Sequence, residues 1–200
     1  MILGLTGSIG SGKTQAAKFF KELGAYIIDA DKISRKLTAK GQDSLKEIAE
    51  IFGQDILTSK GSLNRKKLGK IIFNNTKAKK ALENIIHDKI IAEIRRISAQ
   101  QCRKSDIIID APLLFEIGLD KICDKTIVIW TPLSEQIKRL YKRSKLTRPQ
   151  IETRINSQMP IAQKMQKADF VIDNSKNKIR LKQKVKALYS RYLINSILKK

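Results

Sequence analysis

Eight residues near the start, Gly7-Ser8-Ile9-Gly10-Ser11-Gly12-Lys13-Thr14, constrain this chain more than any other stretch. They satisfy G-x-x-x-x-G-K-[ST], the pattern of a phosphate-binding loop, and their flanks are the ones that pattern needs. Ile2-Leu3-Gly4-Leu5-Thr6, before them, is short and mostly apolar, like a buried parallel strand. After them, Ala16, Ala17, Phe20 and Leu23 fall on one helical face. Strand, glycine-rich turn and helix in that order make an anion trap. The glycines let the backbone wrap a phosphate, and the helix start offers partnerless N–H groups with roughly half a positive charge behind them. Lys13 is then placed to reach the β- and γ-phosphates, and the Thr14 hydroxyl to ligate Mg²⁺. The competing explanation is a glycine turn with a chance Gly-Lys-Thr, which the register of strand, loop and helix disfavours.

Two hundred residues suit one compact α/β domain with room for an inserted subdomain, and 42% hydrophobic content builds a real core. The opening Met-Ile-Leu-Gly lacks the basic region of a signal peptide, and no apolar run approaches membrane-spanning length. Cys102 and Cys123 have neither metal spacing nor a disulfide pattern. A cytoplasmic protein without a membrane contact is expected. The 41 basic and 19 acidic residues leave a net charge of +22, which suits nucleic acid or polyanionic small ligands. Much of the excess is lysine scattered along helices, without a basic tract interleaved with aromatics, so it argues only weakly for nucleic acid.

Ala25-Tyr26-Ile27-Ile28 reads as a second strand running into Asp29-Ala30-Asp31. Ligands of open parallel sheets gather outside the carboxyl ends of strands, so these two carboxylates land near the phosphates. One can serve as general base toward an acceptor hydroxyl while the other orients metal, water or backbone. Capping of the next helix is the plainer use of an Asp, but needs only one. Residues 32–98 are mostly helical by pattern, with turns at Gly41, Gly53 and Gly61. From Lys79 to Ile97, Leu82, Ile85, Ile86, Ile90, Ile94 and Ile97 form an apolar stripe. More than sixty residues between two strands exceed a simple crossover and suggest a helical insertion that grips a second substrate. Arg65 begins a helix after the Gly61 turn, where it can fork onto a phosphate or sit on the surface. His87, the only histidine, has Glu83 and Ile91 at helical spacing, and pattern leaves ligand contact and half-buried structural residue even.

Asp106-Ile107-Ile108-Ile109-Asp110 is a third strand, followed by Ala111-Pro112-Leu113-Leu114-Phe115-Glu116. Asp110 stands where phosphate-loop enzymes carry a metal-organising carboxylate, and would hold Mg²⁺ through water; helix capping is the alternative. Leu113, Leu114 and Phe115 read as wall or core. Thr126–Trp130 makes a fourth strand. The helix from Leu133 is expected to turn Leu133, Ile137, Leu140 and Tyr141 inward, and carries Lys138, Arg139, Lys142 and Arg143, with Arg148 and Arg154 beyond. Arginines that close over a nucleotide neutralise the transferring phosphoryl group and exclude water, with Arg139 the first candidate and Arg143 the second. An ordinary basic helix face is the alternative. Ala168–Asn174 reads as a fifth strand whose polar end, Asn174, can contact adenine. A last helix carries Leu181, Val185, Leu188, Tyr189, Tyr192 and Leu193 on its inner face.

Taken together these pieces resemble the dephospho-coenzyme A kinases through nearly the whole chain. The resemblance runs through Gly4-Leu5-Thr6-Gly7 and the phosphate loop, Ile28-Asp29-Ala30-Asp31, Leu63-Asn64-Arg65, the His87 helix and Asp110–Glu116. Gln136–Arg139, Gln158, Lys164, Ala168-Asp169 and Asn174 continue it. Asp-Ala-Asp combined with Asp-Ala-Pro-Leu-Leu-Phe-Glu is far more specific than the loop alone. The resemblance implies transfer of the ATP γ-phosphoryl to the ribose 3′-hydroxyl of dephospho-CoA. It implies a three-layer α/β/α P-loop fold with a five-stranded parallel sheet, in one domain, 1–200. Within it, 1–31, 99–132 and 165–200 would form the nucleotide-binding core, 32–98 a helical CoA-binding subdomain and 133–164 a lid. By the same matching Asp31 is the base, while Lys13 and Arg139 stabilise transition-state charge. Gly7, Ser8, Ile9, Gly10, Ser11, Gly12, Lys13, Thr14 and Gln15, with Arg143 and Asn174, face ATP. Asp29, Asp31, Arg65, His87, Asp110 and Leu113 face the acceptor, and Thr14 and Asp110 the metal. The chain departs from the family pattern in four places. Asp88 follows His87 where proline is usual, Ser8 replaces a glycine, Gln15 a small hydroxyl residue, and Ser175 a glycine.

Two other functions stay open on sequence. A nucleoside or nucleotide kinase differs only through the 32–98 insertion. A basic nucleic-acid-binding NTPase explains the +22 charge, but the chain is short for one and has paired acids at the second strand.

Overall fold

The computed structural model describes residues 1–73, 75–144 and 147–197, with side chains as far as Arg191. Tyr192 and Leu193, expected on the inner face of the last helix, lie outside the described side chains. Five short strands form one parallel sheet: β1 (Ile2–Thr6), β2 (Tyr26–Asp29), β3 (Ile107–Asp110), β4 (Lys125–Trp130) and β5 (Phe170–Asp173). Their spatial order is β2-β3-β1-β4-β5, so the strand leading into the phosphate loop is central. Continuous apolar runs suit these strands because both faces are covered. On one face Leu3, Leu5, Ile108, Ile127 and Ile129 pack with Phe19, Phe20, Leu181 and Val185. Those last four come from α1 (Lys13–Glu22) and the final helix, Lys178–Ile197. The Phe20 and Tyr189 rings meet edge to face at 6.0 Å. On the other face Gly4 lies so close to Leu114 and Cys123 that an added Cβ would stand 2.8–2.9 Å from them.

The chain divides into two compact units, Met1–Asp29 with Ile97–Lys200, and Ala30–Arg96. The second is helical: α2 (Ala30–Leu37), α3 (Asp43–Phe52), α4 (Arg65–Phe73) and most of α5 (Thr76–Gln101). Its core gathers Ile48 of α3, Ile56, Leu68 of α4 and Leu82 of α5. The Lys79–Ile97 stripe does bury Leu82, Ile90 and Ile94. In the first unit β4 is followed by α6 (Leu133–Arg143), α7 (Arg148–Asn156) and α8 (Ile161–Lys167), and β5 by α9 (Lys178–Ile197). Thr147 opens α7 with a reciprocal capping box to Gln150.

The inward face of α6 differs from the expected one. Leu133 and Tyr141 are exposed, at 53% and 68%, and Gln136 and Leu140 are buried. Of the expected stripe Leu140 is buried and Ile137 half-buried, and Gln136 takes the remaining place on the inner face. Gln136 is accommodated because its amide donates to the Thr131 carbonyl at 2.8 Å. Leu113 likewise departs from a wall-or-core reading: it is 39% exposed, while Leu114 beside it is fully buried.

Candidate active site

Between β1 and α1 the backbone makes the turn that the eight-residue motif requires. Gly12 stands at the N-cap of α1 in the left-handed region (φ 94°), and a Cβ there would run into the Asn174 amide. The first N–H groups of such a helix, before Gln15 N closes onto the Gly12 carbonyl at 2.9 Å, have no carbonyl behind them, which is the local origin of an anion site. Thr14 in that turn is exposed, and Gln15 and Lys13 are half-buried.

The loop is fixed from outside by side chains distant in sequence. Asn174, just past β5, donates from Nδ2 to the Ser11 carbonyl at 2.7 Å. Its own carbonyl accepts from Thr131 Oγ1 at 2.7 Å and from Arg139 Nη2 at 2.8 Å. Arg139 Nη1 also reaches the Ser11 carbonyl, at 3.5 Å. The expected adenine contact, Asn174, therefore has its amide N–H engaged on the loop. Arg139 lies beside the loop on carbonyls only. No carboxylate pairs with it among the described residues, so its charge stays available to a phosphate. On another side Ile9 N donates to Gln158 Oε1 at 3.3 Å.

Lys13 Nζ is ion-paired with Asp110 Oδ1, and both side chains are largely buried. Asp110 ends β3, and Asp29, ending β2, is its register partner. Register partners on parallel strands share a face, so the two carboxylates stand side by side at the strand ends next to the loop. These are hard oxygen donors, and with the Thr14 hydroxyl they fit Mg²⁺, which takes one or two carboxylates and keeps much of its water. No group of three His, Cys, Asp or Glu side chains that would form an all-protein cage occurs among the described residues.

The remaining sequence candidates fall as follows. Arg143 is exposed in the last turn of α6. In the second unit Asp31 is exposed in the first turn of α2. Arg65, at the start of α4, donates to Thr38 Oγ1 at 2.7 Å; burial, and then the like charge of Arg35, lower its pKa. Burial also lowers the His87 pKa, against the opposing pull of Glu83 and Asp88, so the ring is neutral at pH 7. Lys164, Glu116, Thr131 and Gln136 carried no functional expectation, yet Thr131 bonds the Asn174 carbonyl, Gln136 bonds Thr131, and Lys164 pairs with Glu116. The burial of Lys164 has no signal in composition or periodicity, because lysine reads as surface; only the family resemblance singled the residue out.

A phosphate loop on the central strand, with a lysine and a strand-end aspartate paired at its mouth, is how an α/β protein grips a nucleoside triphosphate, and the chain is a P-loop kinase. Shikimate kinase from Acinetobacter baumannii shares the fold, with a TM-score of 0.56 at 16% identity over 97% of this chain and 93% of that one. The family model described as dephospho-CoA kinase matches residues 1–179. A dephospho-CoA kinase of Listeria innocua is 39% identical over 197 residues, spanning 96% of this chain and 98% of the relative. The solved structure of dephospho-CoA kinase from Campylobacter jejuni superposes with a TM-score of 0.71 at 34% identity, covering 97% of this chain and 98% of that one. The chain belongs to the dephospho-CoA kinase family.

Proposed function

We propose that this chain transfers the γ-phosphoryl group of ATP to the ribose 3′-hydroxyl of dephospho-CoA. The observation that carries the reading is the grouping of Lys13, Asp110 and Arg139 around the phosphate loop, in a chain of this family. In the reaction the 3′-oxygen forms a bond to the γ-phosphorus, the bond from that phosphorus to the β-bridging oxygen breaks, and ADP leaves. Asp31 takes the proton of the 3′-hydroxyl. Phosphoryl transfer passes through a loose transition state, so positioning and electrostatics do most of the work. Main-chain amides of the Gly7–Thr14 loop other than those of Ile9 and Ser11, which are bonded within the protein, hold the phosphates. Lys13 and Arg139 offset charge on the transferring group, and Arg143 approaches from the end of α6. Asp29, Arg65, His87 and Leu113 serve the acceptor. His87, being neutral, acts there as a hydrogen-bonding group rather than a cation. Mg²⁺ held by Thr14 and Asp110 would neutralise β- and γ-phosphate charge. Helices α6 to α8 act as a lid that excludes water from ATP. The reaction is assigned to the cytoplasm, where ATP is supplied.

A substrate panel tests the reading. With ATP and Mg²⁺, phosphate is expected on dephospho-CoA and not on nucleosides or nucleotides. Phosphorylation of a nucleoside in preference to dephospho-CoA would overturn it, as would an ATPase that runs only when RNA or DNA is added.

A further inference from the structure

Lys164, in α8, is a charged side chain with no exposed surface at all. A lysine is almost never fully buried without a specific partner, and this one has two. Its Nζ donates to the Pro112 carbonyl at 2.6 Å and pairs with Glu116 Oε1 at 2.8 Å. Both acceptors lie on the segment leaving β3, immediately after Asp110. The Pro112 carbonyl also accepts from Thr6 Oγ1 at 3.1 Å, and Thr6 is the residue before the phosphate loop. Glu116 Oε1 further accepts from Met159 N at 2.9 Å, and Met159 follows Gln158, which holds Ile9 of the loop. One buried ammonium thus joins the exit of β3, the exit of β1 and the α7–α8 connection. The other Glu116 oxygen is buried with no hydrogen-bond partner, a cost the fold tolerates in order to keep the carboxylate in place. Burial works against the charge of Lys164, Glu116 supports it, and Lys13 opposes it least of the three, so packing alone would not select a lysine here.

We propose that Lys164 is a positioning residue for phosphoryl transfer. Through Pro112 and Glu116 it sets the turn that aims Asp110 at Lys13, and it holds Gln158 against the phosphate loop. It touches neither substrate in this role. The proposal rests on the reading that Lys13 and Asp110 serve the ATP phosphates, and goes beyond it by assigning a role to a residue behind them. A buried ion pair adds little stability over apolar residues of the same volume, whereas removing one partner strands the other. That difference separates positioning from mere support of the fold.

The experiment compares the parent with Lys164→Met, Lys164→Arg and the double variant Lys164→Met/Glu116→Leu. Three quantities are measured: the thermal midpoint without ligand, ATP affinity by calorimetry without added metal, and kcat with KM for each substrate. Lys164→Met is expected to lower kcat at least 30-fold and weaken ATP about tenfold, with KM for dephospho-CoA within threefold of the parent. Lys164→Arg is expected to keep kcat within about fivefold. The double variant is expected to regain most of the thermal midpoint lost by Lys164→Met while kcat stays at least tenfold low. A double variant with parental midpoint and parental kcat would overturn the proposal, and so would parental kcat in Lys164→Met. If both methionine variants fail to fold while Lys164→Arg is normal, the lysine is structural and the proposal is equally lost. Failure of the underlying reading looks different: the parent itself then binds no ATP.

Discussion

At the scale of single residues the chemistry depends on which carboxylate takes the proton and which cation meets the phosphoryl group. Asp31 stands two residues past the end of β2, exposed in the first turn of α2. Asp31→Asn keeps size and removes the base. Steady-state kinetics should show kcat lowered by about 10²–10⁴, the usual range for a general base, with KM for dephospho-CoA changed far less. Near-parental kcat would remove Asp31 as the base. Lys13→Ala should lower kcat by about 10²–10³, the range for removing one preorganised charge donor. A loss confined to KM for ATP would assign Lys13 to ground-state binding instead. His87 gives a prediction in pH. Its folded pKa lies below the ordinary value of 6.5, chiefly through burial, so the folded state resists protonation. Its contribution to stability is complete above about pH 6.5 and is lost as pH falls through the lowered folded value. Denaturant midpoints measured from pH 7.5 to 5 should fall less steeply in His87→Gln than in the parent.

At the scale of elements, β4 and β5 are joined by one aspartate at the start of β5. Asp169 Oδ2 accepts from Thr126 N and Thr126 Oγ1, at 2.8 and 2.9 Å, and Oδ1 from Lys125 at 2.8 Å. Burial works against the carboxylate, but Lys125 and Thr126 outweigh it and hold its pKa below the usual range. Asp169→Ala should cost about 1–2 kcal/mol at pH 7, a discounted value for charge-assisted bonds at a partly exposed site. Because the folded pKa is depressed, that stabilisation is present above about pH 4 and disappears as pH falls through the folded value. Urea midpoints of variant and parent should therefore converge as pH falls below the usual carboxylate range. Much of this level was legible in the sequence. All five strands were, because continuous apolar runs between turn residues leave few choices. Helix α6 was legible only in part: of the stripe Leu133, Ile137, Leu140 and Tyr141, Leu140 turned inward and Leu133 and Tyr141 did not, because Gln136 took the inner face once the Thr131 carbonyl was there to bond it. Periodicity ranks side chains by polarity and is blind to a partner supplied by another element.

At the scale of the whole molecule the two units have separate apolar cores, one on the sheet and one among the helices of the insertion. The two cysteines report on the first unit. Cys102 is exposed, whereas Cys123 is half-buried, packs near Gly4 on the central strand, and donates to the Leu119 carbonyl. Burial, followed by Asp120, Asp124 and Asp169, pushes the Cys123 pKa up to about 12. Only thiolate reacts, so iodoacetamide at pH 8 should label Cys102 promptly and Cys123 only as the unit opens. Mass spectrometry of peptides carrying each cysteine checks this. Comparable native rates would mean that the segment covering Gly4 opens easily. No helix among the described residues is long and apolar enough to cross a membrane. The net charge of +22 sits mostly on exposed lysines and arginines, where pairs such as Lys182 with Glu22 are weak and screened.

By itself the sequence determined the phosphate loop, because the glycines, the lysine and the hydroxyl that grip a phosphate are neighbours in the chain and act through local backbone conformation. It also determined the five strands and the helices of the insertion as elements, through runs and periods that need no distant partner, whereas their pairing into a sheet joins segments as far apart as Ile2 and Ile107. What holds the loop was decided only by tertiary structure: Asn174 and Arg139 on the Ser11 carbonyl, Gln158 on Ile9, and Lys164 buried behind Asp110. The physical reason is desolvation. A polar side chain can be enclosed only where another part of the chain answers its hydrogen bonds, and that answer is written in three dimensions rather than in neighbouring letters.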